Sequence, residues 1–229
     1  NEYANALEFH SALPQDVAVP NYFEEYAGQR VLIQTFAEGK NPTDSTIPTG
    51  GKQKVASRII SSFLGQVFDQ GLYHDDLHPG NIRADEDGNL TFLDFGRLGR
   101  ISEVQRNQIL PLVGTLSAAV SSDLNEADKA EIPSAVVEIL KQMGNQKVDY
   151  RENELLQSLA GLFETKNIPV SQLVSQAFFE AGSHGLEIDA AFLQLIKGVL
   201  TVEGTAHLLD PEINIENEIM KFFAERRSE

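Results

Sequence analysis

The sequence predicts an α+β chain that is mostly helical. Three observations carry that expectation. Two β-rich runs, Tyr22 to Tyr26 and Arg30 to Phe36, flank a glycine-containing turn. An Asp87-Gly88 pair sits between the apolar runs Ile82 to Ala84 and Leu90 to Phe92. After Gly96 the apolar residues recur at helical spacing to the end of the chain.

In order, Glu2 to Leu13 places Ala6, Leu7, Phe9 and Leu13 along one face, which predicts a short amphipathic helix. Val17 to Pro20 then leads into the first hairpin, with Ala27-Gly28-Gln29 as its turn. Lys40 to Gly51 is rich in Pro, Thr, Ser and Gly and reads as a loop. Its Gly50-Gly51-Lys52 is no phosphate loop: the earlier glycine is missing and Gln53 stands where Ser or Thr is required. From Lys54 to Gln70, Val55, Ile59, Ile60, Phe63, Leu64, Val67 and Phe68 mark a buried helix face, ended by Gly71.

Ser102 and Gln105 form a capping box, and Ile109 to Val120 carries the next apolar face. Further helices are expected over Pro133 to Met143, Glu152 to Phe163, Val170 to Ala181, Asp189 to Leu209 and Glu212 to Ala224. Gly144-Asn145, Lys166-Asn167-Ile168-Pro169 and Gly182-Ser183-His184-Gly185 separate them. Glu203-Gly204 and Asp210-Pro211 are expected to set a helix break and a cap.

The chemistry concentrates in Tyr73-His74-Asp75-Asp76-Leu77-His78-Pro79-Gly80-Asn81 and in Leu93-Asp94-Phe95-Gly96. A phosphoryl-transfer site must position its reactants and neutralise charge, with little covalent work of its own. It needs a carboxylate beside the attacking oxygen, and an amide plus a second carboxylate on magnesium. Asp76, Asn81 and Asp94 are those three groups, with Asp76 and Asn81 catalytic and Asn81 and Asp94 the metal ligands. Magnesium suits the pair, because it takes only one or two protein oxygens beside the phosphates. The Asp-Gly hairpin would fold Asp94 back beside Asn81. Asp75 and Asp76 are adjacent carboxylates, and neighbours in an extended loop are expected to point apart. His78 either contacts phosphate or shapes the turn. His10, His184 and His207 show no paired spacing, which argues against zinc.

The two stretches resemble the His-Arg-Asp and Asp-Phe-Gly signatures of protein kinases, with Asp75 in the place of the arginine. The full His-x-Asp-Leu-His-Pro-Gly-Asn string is closer to the UbiB (AarF/ADCK) atypical kinase-like family, and also occurs in aminoglycoside and choline kinases. Leu195 to Pro211, with Glu203, Gly204, Asp210 and Pro211, resembles a segment near the end of the UbiB kinase-like domain. The resemblance implies a protein-kinase-like fold: residues 1–36 as a small-lobe remnant and hinge, residues 37–229 as the helical large lobe. It makes Glu2, with Asn5, the carboxylate that pairs with a strand lysine. It makes Gln34, Thr35, Phe36 and Ala37 the nucleotide-binding hinge, with Asp94 at the phosphates. Gln34-Thr35 replace the usual Met-Glu there. His74, His78, Phe95 and Gly96 are then structural or regulatory.

The implied activity is a magnesium- and ATP-dependent kinase or ATPase supporting ubiquinone or other isoprenoid-quinone biosynthesis. Implied partners are the nucleotide, quinone-biosynthesis proteins and membrane lipid. Two alternatives stand beside it: a small-molecule kinase of the aminoglycoside or choline type, against which the Glu203 to Pro211 segment speaks, and a non-catalytic pseudokinase scaffold, against which the complete Asp, Asn, Asp set speaks. Asn1-Glu2-Tyr3 starts in mid-helix without Met, so a piece of a longer protein is expected. With the small-lobe lysine and nucleotide loop outside it, weak nucleotide affinity and negligible turnover are expected of this piece.

At 229 residues the chain can bury ~70% of its unfolded surface in one substantial core. Its 34 acidic and 18 basic residues give a net charge of -16, which argues against a nucleic-acid partner. The absence of cysteine excludes disulfides, a thiolate nucleophile and Cys-ligated zinc. No run approaches the ~18 apolar residues of a spanning helix and no signal pattern is visible, so a cytoplasmic or peripheral membrane location is expected.

Overall fold

A computed structural model describes residues 2–12, 17–28, 31–120, 125–164 and 168–226. Leu13, Gln29, Arg30, Lys166 and Asn167, to which helix, turn or hinge roles were expected, lie outside them. The chain divides into two compact units, one built from Asn1–Arg100 with Gly198–Glu229 and the other from Ile101–Lys197.

The first unit begins with α1 (Glu2–Ala12) and β1 (Val17–Ala18). The expected hairpin over residues 22–36 is reduced to a single antiparallel bridge, Tyr22 to Gln34, with a short 3-10 turn at Glu24–Tyr26. Hydrogen bonds from the Phe23 amide to Ile33 O and from the Thr35 amide to Asn21 O flank the bridge. The apolar side chains that suggested strands do not form a buried face here: Val31, Ile33 and Phe36 are exposed, Phe36 at 84%. A sheet face without a core to cover gains little from extending.

α2 (Thr49–Gly65) starts five residues before the expected helix. Gly50 and Gly51 are helical despite their poor propensity. A Cβ on Gly51 would stand 3.1 Å from Ile47 Cγ2, so the glycine lets the preceding loop close on the helix. A π-helical turn, Gln66–Gln70, follows, and Gly71 stops it at φ 71, the left-handed value glycine takes freely.

β2 (Leu72–His74) leads into the loop that carries Asp76, and a 3-10 turn at Pro79–Asn81 ends it. β3 (Ile82–Ala84) and β4 (Leu90–Phe92) form the predicted hairpin, with Ile82 opposite Phe92. Gly88 has φ 76, and the Asp85 carboxylate accepts the Asn89 amide across the turn. β1 pairs with β4 in parallel, and β5 (Leu98–Arg100) pairs antiparallel with β2. Phe9, Ile59, Phe63, Tyr73, Leu77, Ile82, Leu90, Phe92 and Phe95 are the buried centre of this unit.

The second unit holds α3 (Glu103–Val120), α4 (Glu126–Gln142), β6 (Gly144–Gln146), α5 (Glu152–Phe163), α6 (Val170–Ser183) and β7 (Leu186–Ile188). The Ser102 and Gln105 capping box forms: Gln105 Oε1 accepts the Ser102 amide, and Ser102 Oγ accepts the Gln105 amide. α4 starts before Pro133, because Asn125 caps it by accepting the Asp128 amide at 2.9 Å. The run after Gly96 is not wholly helical: β5, β6 and β7 are three-residue strands, too short for a period-2 pattern to register.

α7 (Ala190–Leu209) and α8 (Ile215–Arg226) complete the chain. Glu203-Gly204 makes no break: α7 runs through both, since Val202, Thr205, Ala206 and Leu209 are buried and packing outweighs the ~1 kcal/mol cost of the glycine. The helix ends at Asp210, whose carbonyl and carboxylate accept the Ile213 and Glu212 amides. α8 packs along α2 and the π-helical turn after it, where Phe223 meets Phe68 edge-on at 5.1 Å and Arg226 pairs with Asp69. No helix among the described residues is long and apolar enough to cross a membrane.

Candidate active site

The site is assembled from the π-helical turn outward. That turn directs the Gln66 amide inward, where its oxygen accepts the His74 backbone N–H at 2.9 Å and its nitrogen donates to Ser62 Oγ at 3.1 Å. His74 is buried among the rings of Phe9, Phe92 and Phe95. Its Nε2 donates to the Leu93 carbonyl at 3.0 Å, and its Nδ1 accepts the Asp76 amide at 3.2 Å. Accepting at Nδ1 requires the neutral ring, and burial holds the imidazole below its ordinary 6.5. The expected structural role of His74 is thus a bridge between the Asp76 loop and the end of β4.

Asp76 and Asn81 are joined directly. Asn81 Nδ2 donates to the Asp76 carbonyl at 3.0 Å, which leaves Oδ1 as the atom that can ligate a metal. The Leu93 amide donates to the Asn81 carbonyl at 2.8 Å, so the hairpin brings Asp94 back one residue beyond the partner of Asn81. Asp94 has φ 57, the left-handed region that non-glycine residues rarely occupy, and its side chain is exposed. Strain of this kind persists only where surrounding bonds impose it. Here Asp94 Oδ1 accepts the Gly96 amide at 3.1 Å, and Asn5 Nδ2 donates to the Phe95 carbonyl at 2.8 Å. Phe95 itself is buried against Phe9, 5.1 Å between centroids.

Glu2 faces this turn from α1. Burial raises its carboxyl above the usual range, and the negative charge of Asp94 raises it further. Tyr22 joins them: its buried hydroxyl has no hydrogen-bond partner among the described residues, and burial with the charges of Glu2 and Asp94 pushes the phenol up to about 12. Of the expected hinge residues, Gln34 and Phe36 are exposed, while Thr35 is tied to Asn21 through its amide and hydroxyl. His78 is exposed and its Nδ1 accepts the Gly80 amide at 3.0 Å, shaping the turn before Asn81.

Asp75 and Asp76 do not simply diverge. Arg97 Nε lies 3.6 Å from Asp75 Oδ1, and Arg97 Nη2 lies 3.6 Å from Asp76 Oδ2. Sequence reasoning missed Arg97, although two adjacent carboxylates call for a cation nearby. It also missed Thr205, whose buried hydroxyl donates to the Leu77 carbonyl at 2.9 Å and props the loop from α7.

A loop that carries Asp76, an amide at its far end and a strained carboxylate on the returning hairpin lie together in this unit, and comparison with known proteins gives the family. The model of the ABC1 atypical kinase-like domain matches residues 1–130, more than half of the chain, and the model of the UbiB helical domain matches residues 154–214. The chain belongs to the ABC1 atypical kinase-like family.

Relatives of this ABC1-family chain include Protein ACTIVITY OF BC1 COMPLEX KINASE 7, chloroplastic, of Arabidopsis thaliana, 24% identical over 86% of the chain and 28% of the relative. An uncharacterised protein of Synechocystis is 26% identical over 96% of the chain and 32% of its own length. The chain thus spans about a third or less of the curated relatives it matches. Among solved structures, the Rv3197–erythromycin complex from Mycobacterium tuberculosis superposes with a TM-score of 0.56 at 16% identity, over 91% of the chain and 53% of that protein. The fold is protein-kinase-like and mostly helical. The UbiB helical-domain model reaches into residues 154–184, where the resemblance read from the sequence is weak.

Proposed function

We propose that this chain carries the large-lobe half of an ATP-binding, magnesium-dependent phosphoryl-transfer site, in a protein that serves isoprenoid-quinone biosynthesis. Residues 1–36 are the end of the small lobe and its hinge, and residues 37–229 the large lobe. The observation that carries the reading is Asp94, held at a strained φ of 57 one residue past the partner of Asn81.

The residues fit the metal. An amide oxygen and a carboxylate are the hard oxygen donors magnesium takes, and the Asn81 nitrogen is already committed to Asp76 O. Asn81 Oδ1 and the Asp94 carboxylate would hold it. Bound there, magnesium would offset the charge of the transferring phosphoryl group. Asp76 orients the attacking hydroxyl or water and accepts its proton. The main chain of Gln34 to Ala37 meets the adenine, and Glu2 stands where a small-lobe lysine would pair with it. The quinone assignment rests on the resemblance to the UbiB family and on the chain's membership of the ABC1 family.

The test uses the full-length protein. Magnesium-dependent ATP hydrolysis is expected in the wild type and lost in Asp94→Asn, with the fold retained by circular dichroism. Undiminished hydrolysis by the variant would remove Asp94 from the metal site.

A further inference from the structure

Asp75 is a buried carboxylate to which the phosphoryl-transfer scheme assigns no task. Its side chain is 4% exposed, against 39% for Asp76. A charge taken out of water needs an opposing charge or several donors. Arg97 supplies the charge, 3.6 Å from Asp75 through Nε and 3.6 Å from Asp76 through Nη2. Both contacts are ion pairs at 3.6 Å, just beyond hydrogen-bond distance; the guanidinium is a rigid planar fork, so an edge drawn toward buried Asp75 biases where the other edge meets Asp76. The Asp76 main chain is already pinned by His74 at its amide and by Asn81 at its carbonyl. What remains to be set is the direction of the side chain. Arg97 also directly follows Asp94-Phe95-Gly96, so the same ion pairs fasten the far end of the strained turn to the loop carrying the base.

Building on the phosphoryl-transfer reading, we propose that Arg97 is a positioning residue: anchored on Asp75, it aims the Asp76 carboxylate and couples its placement to the Asp94 turn. Arg97 is 58% exposed but Asp75 is buried, so removing the guanidinium should cost some stability as well as rate, and the rate is read under conditions where every variant is folded. Lysine keeps the charge but lacks the fork, and cannot hold two carboxylates in fixed directions.

In the full-length protein, Arg97→Ala and Arg97→Lys are compared with wild type by steady-state ATP hydrolysis and by hydrogen exchange of the segments 73–81 and 93–100. Arg97→Ala is expected to lower kcat roughly tenfold to a hundredfold, as a misplaced catalytic group does. KM for ATP should stay within about twofold, because nucleotide binding is not what is lost. Exchange should quicken in both segments, and Arg97→Lys should recover only a minor part of the rate. Three results would overturn the proposal: a raised KM with unchanged kcat, full recovery by lysine, or unaltered exchange in segment 73–81. Should Arg97→Ala fail to fold, Arg97→Lys retains the counter-charge for Asp75 and carries the same comparison. If the wild type hydrolyses no ATP, the phosphoryl-transfer reading fails, and the exchange data still decide whether Arg97 joins the two segments.

Discussion

The Leu93 amide donates to the Asn81 carbonyl at 2.8 Å, and this one bond sets the next residue, Asp94, beside the loop that carries Asp76. The separation of 13 residues in sequence is closed by a hairpin whose register is fixed at Ile82 and Phe92, both buried. A slip of one residue would turn those apolar side chains outward, so the site geometry inherits the certainty of the core.

Asp94→Asn should leave stability within about 0.5 kcal/mol of wild type, since Asn tolerates the left-handed conformation and can still accept the Gly96 amide. Urea unfolding checks this, and the loss of hydrolysis is then attributable to the missing charge.

His74 gives stability a pH dependence. Its folded pKa lies below the unfolded 6.5, so the unfolded chain binds the extra proton as pH falls through 6.5. Stability should be fully present above that value and decline below it, by at most about 1.4 kcal/mol per pH unit from this group. The decline stops at the folded pKa. Unfolding curves at pH 7.5 and 5.5, for wild type and His74→Ala, isolate the contribution. The variant should also lose about 2–4 kcal/mol throughout, because the Asp76 amide and Leu93 carbonyl lose their partner and a cavity opens.

Two glycines should respond in opposite directions to alanine. A Cβ on Gly99 would fall 2.1 Å from Tyr73 Cζ, in the buried β2–β5 pair, so Gly99→Ala should cost 3 kcal/mol or roughly more. Gly204 is exposed in the interior of α7 with nothing within 4 Å, so Gly204→Ala should gain about 0.5–1 kcal/mol. Thermal melts of both decide the signs.

Thr205→Val keeps the shape and deletes the hydroxyl that donates to the Leu77 carbonyl. About 1–2 kcal/mol of stability should go, the cost of an orphaned buried carbonyl. Turnover in the full-length protein should fall with it, because that carbonyl belongs to the residue after Asp76.

Tyr22→Phe should be neutral or stabilising by up to about 1 kcal/mol, since the buried hydroxyl it deletes has no partner among the described residues. A fall in melting temperature would mean that the hydroxyl is satisfied in solution.

The sequence announced what local chemistry dictates. Asp-Gly between apolar runs specified the β3–β4 hairpin, the helical stripe from Val55 to Val67 specified α2, and Ser102 with Gln105 specified the start of α3. What it hid depends on partners distant in the chain. β1 is two residues long and exists because Leu90 and Thr91 offer it an edge. The Tyr22 to Phe36 stretch has strand-forming residues but no buried face to press them against. Gly204 looks like a break and is overridden by the buried residues around it. The candidate set Asp76, Asn81 and Asp94 could be picked out from the sequence because its spacing is short. Arg97 and Thr205 could not, since an ion pair to a neighbouring loop and a bond spanning 128 residues leave no local trace.

The wide turn at Gln66–Gln70 accommodates one residue more than an ordinary α-turn. Each residue advances a helix by about 100°, so excising one there would convert the bulge to regular α-helix and swing the Gln66 amide off the His74 amide it now receives. A change that hydropathy profiles would not notice would thus be transmitted to Asp76 and Leu93 at once, and natural variants of this protein should tolerate substitutions along α2 far better than length changes at its end.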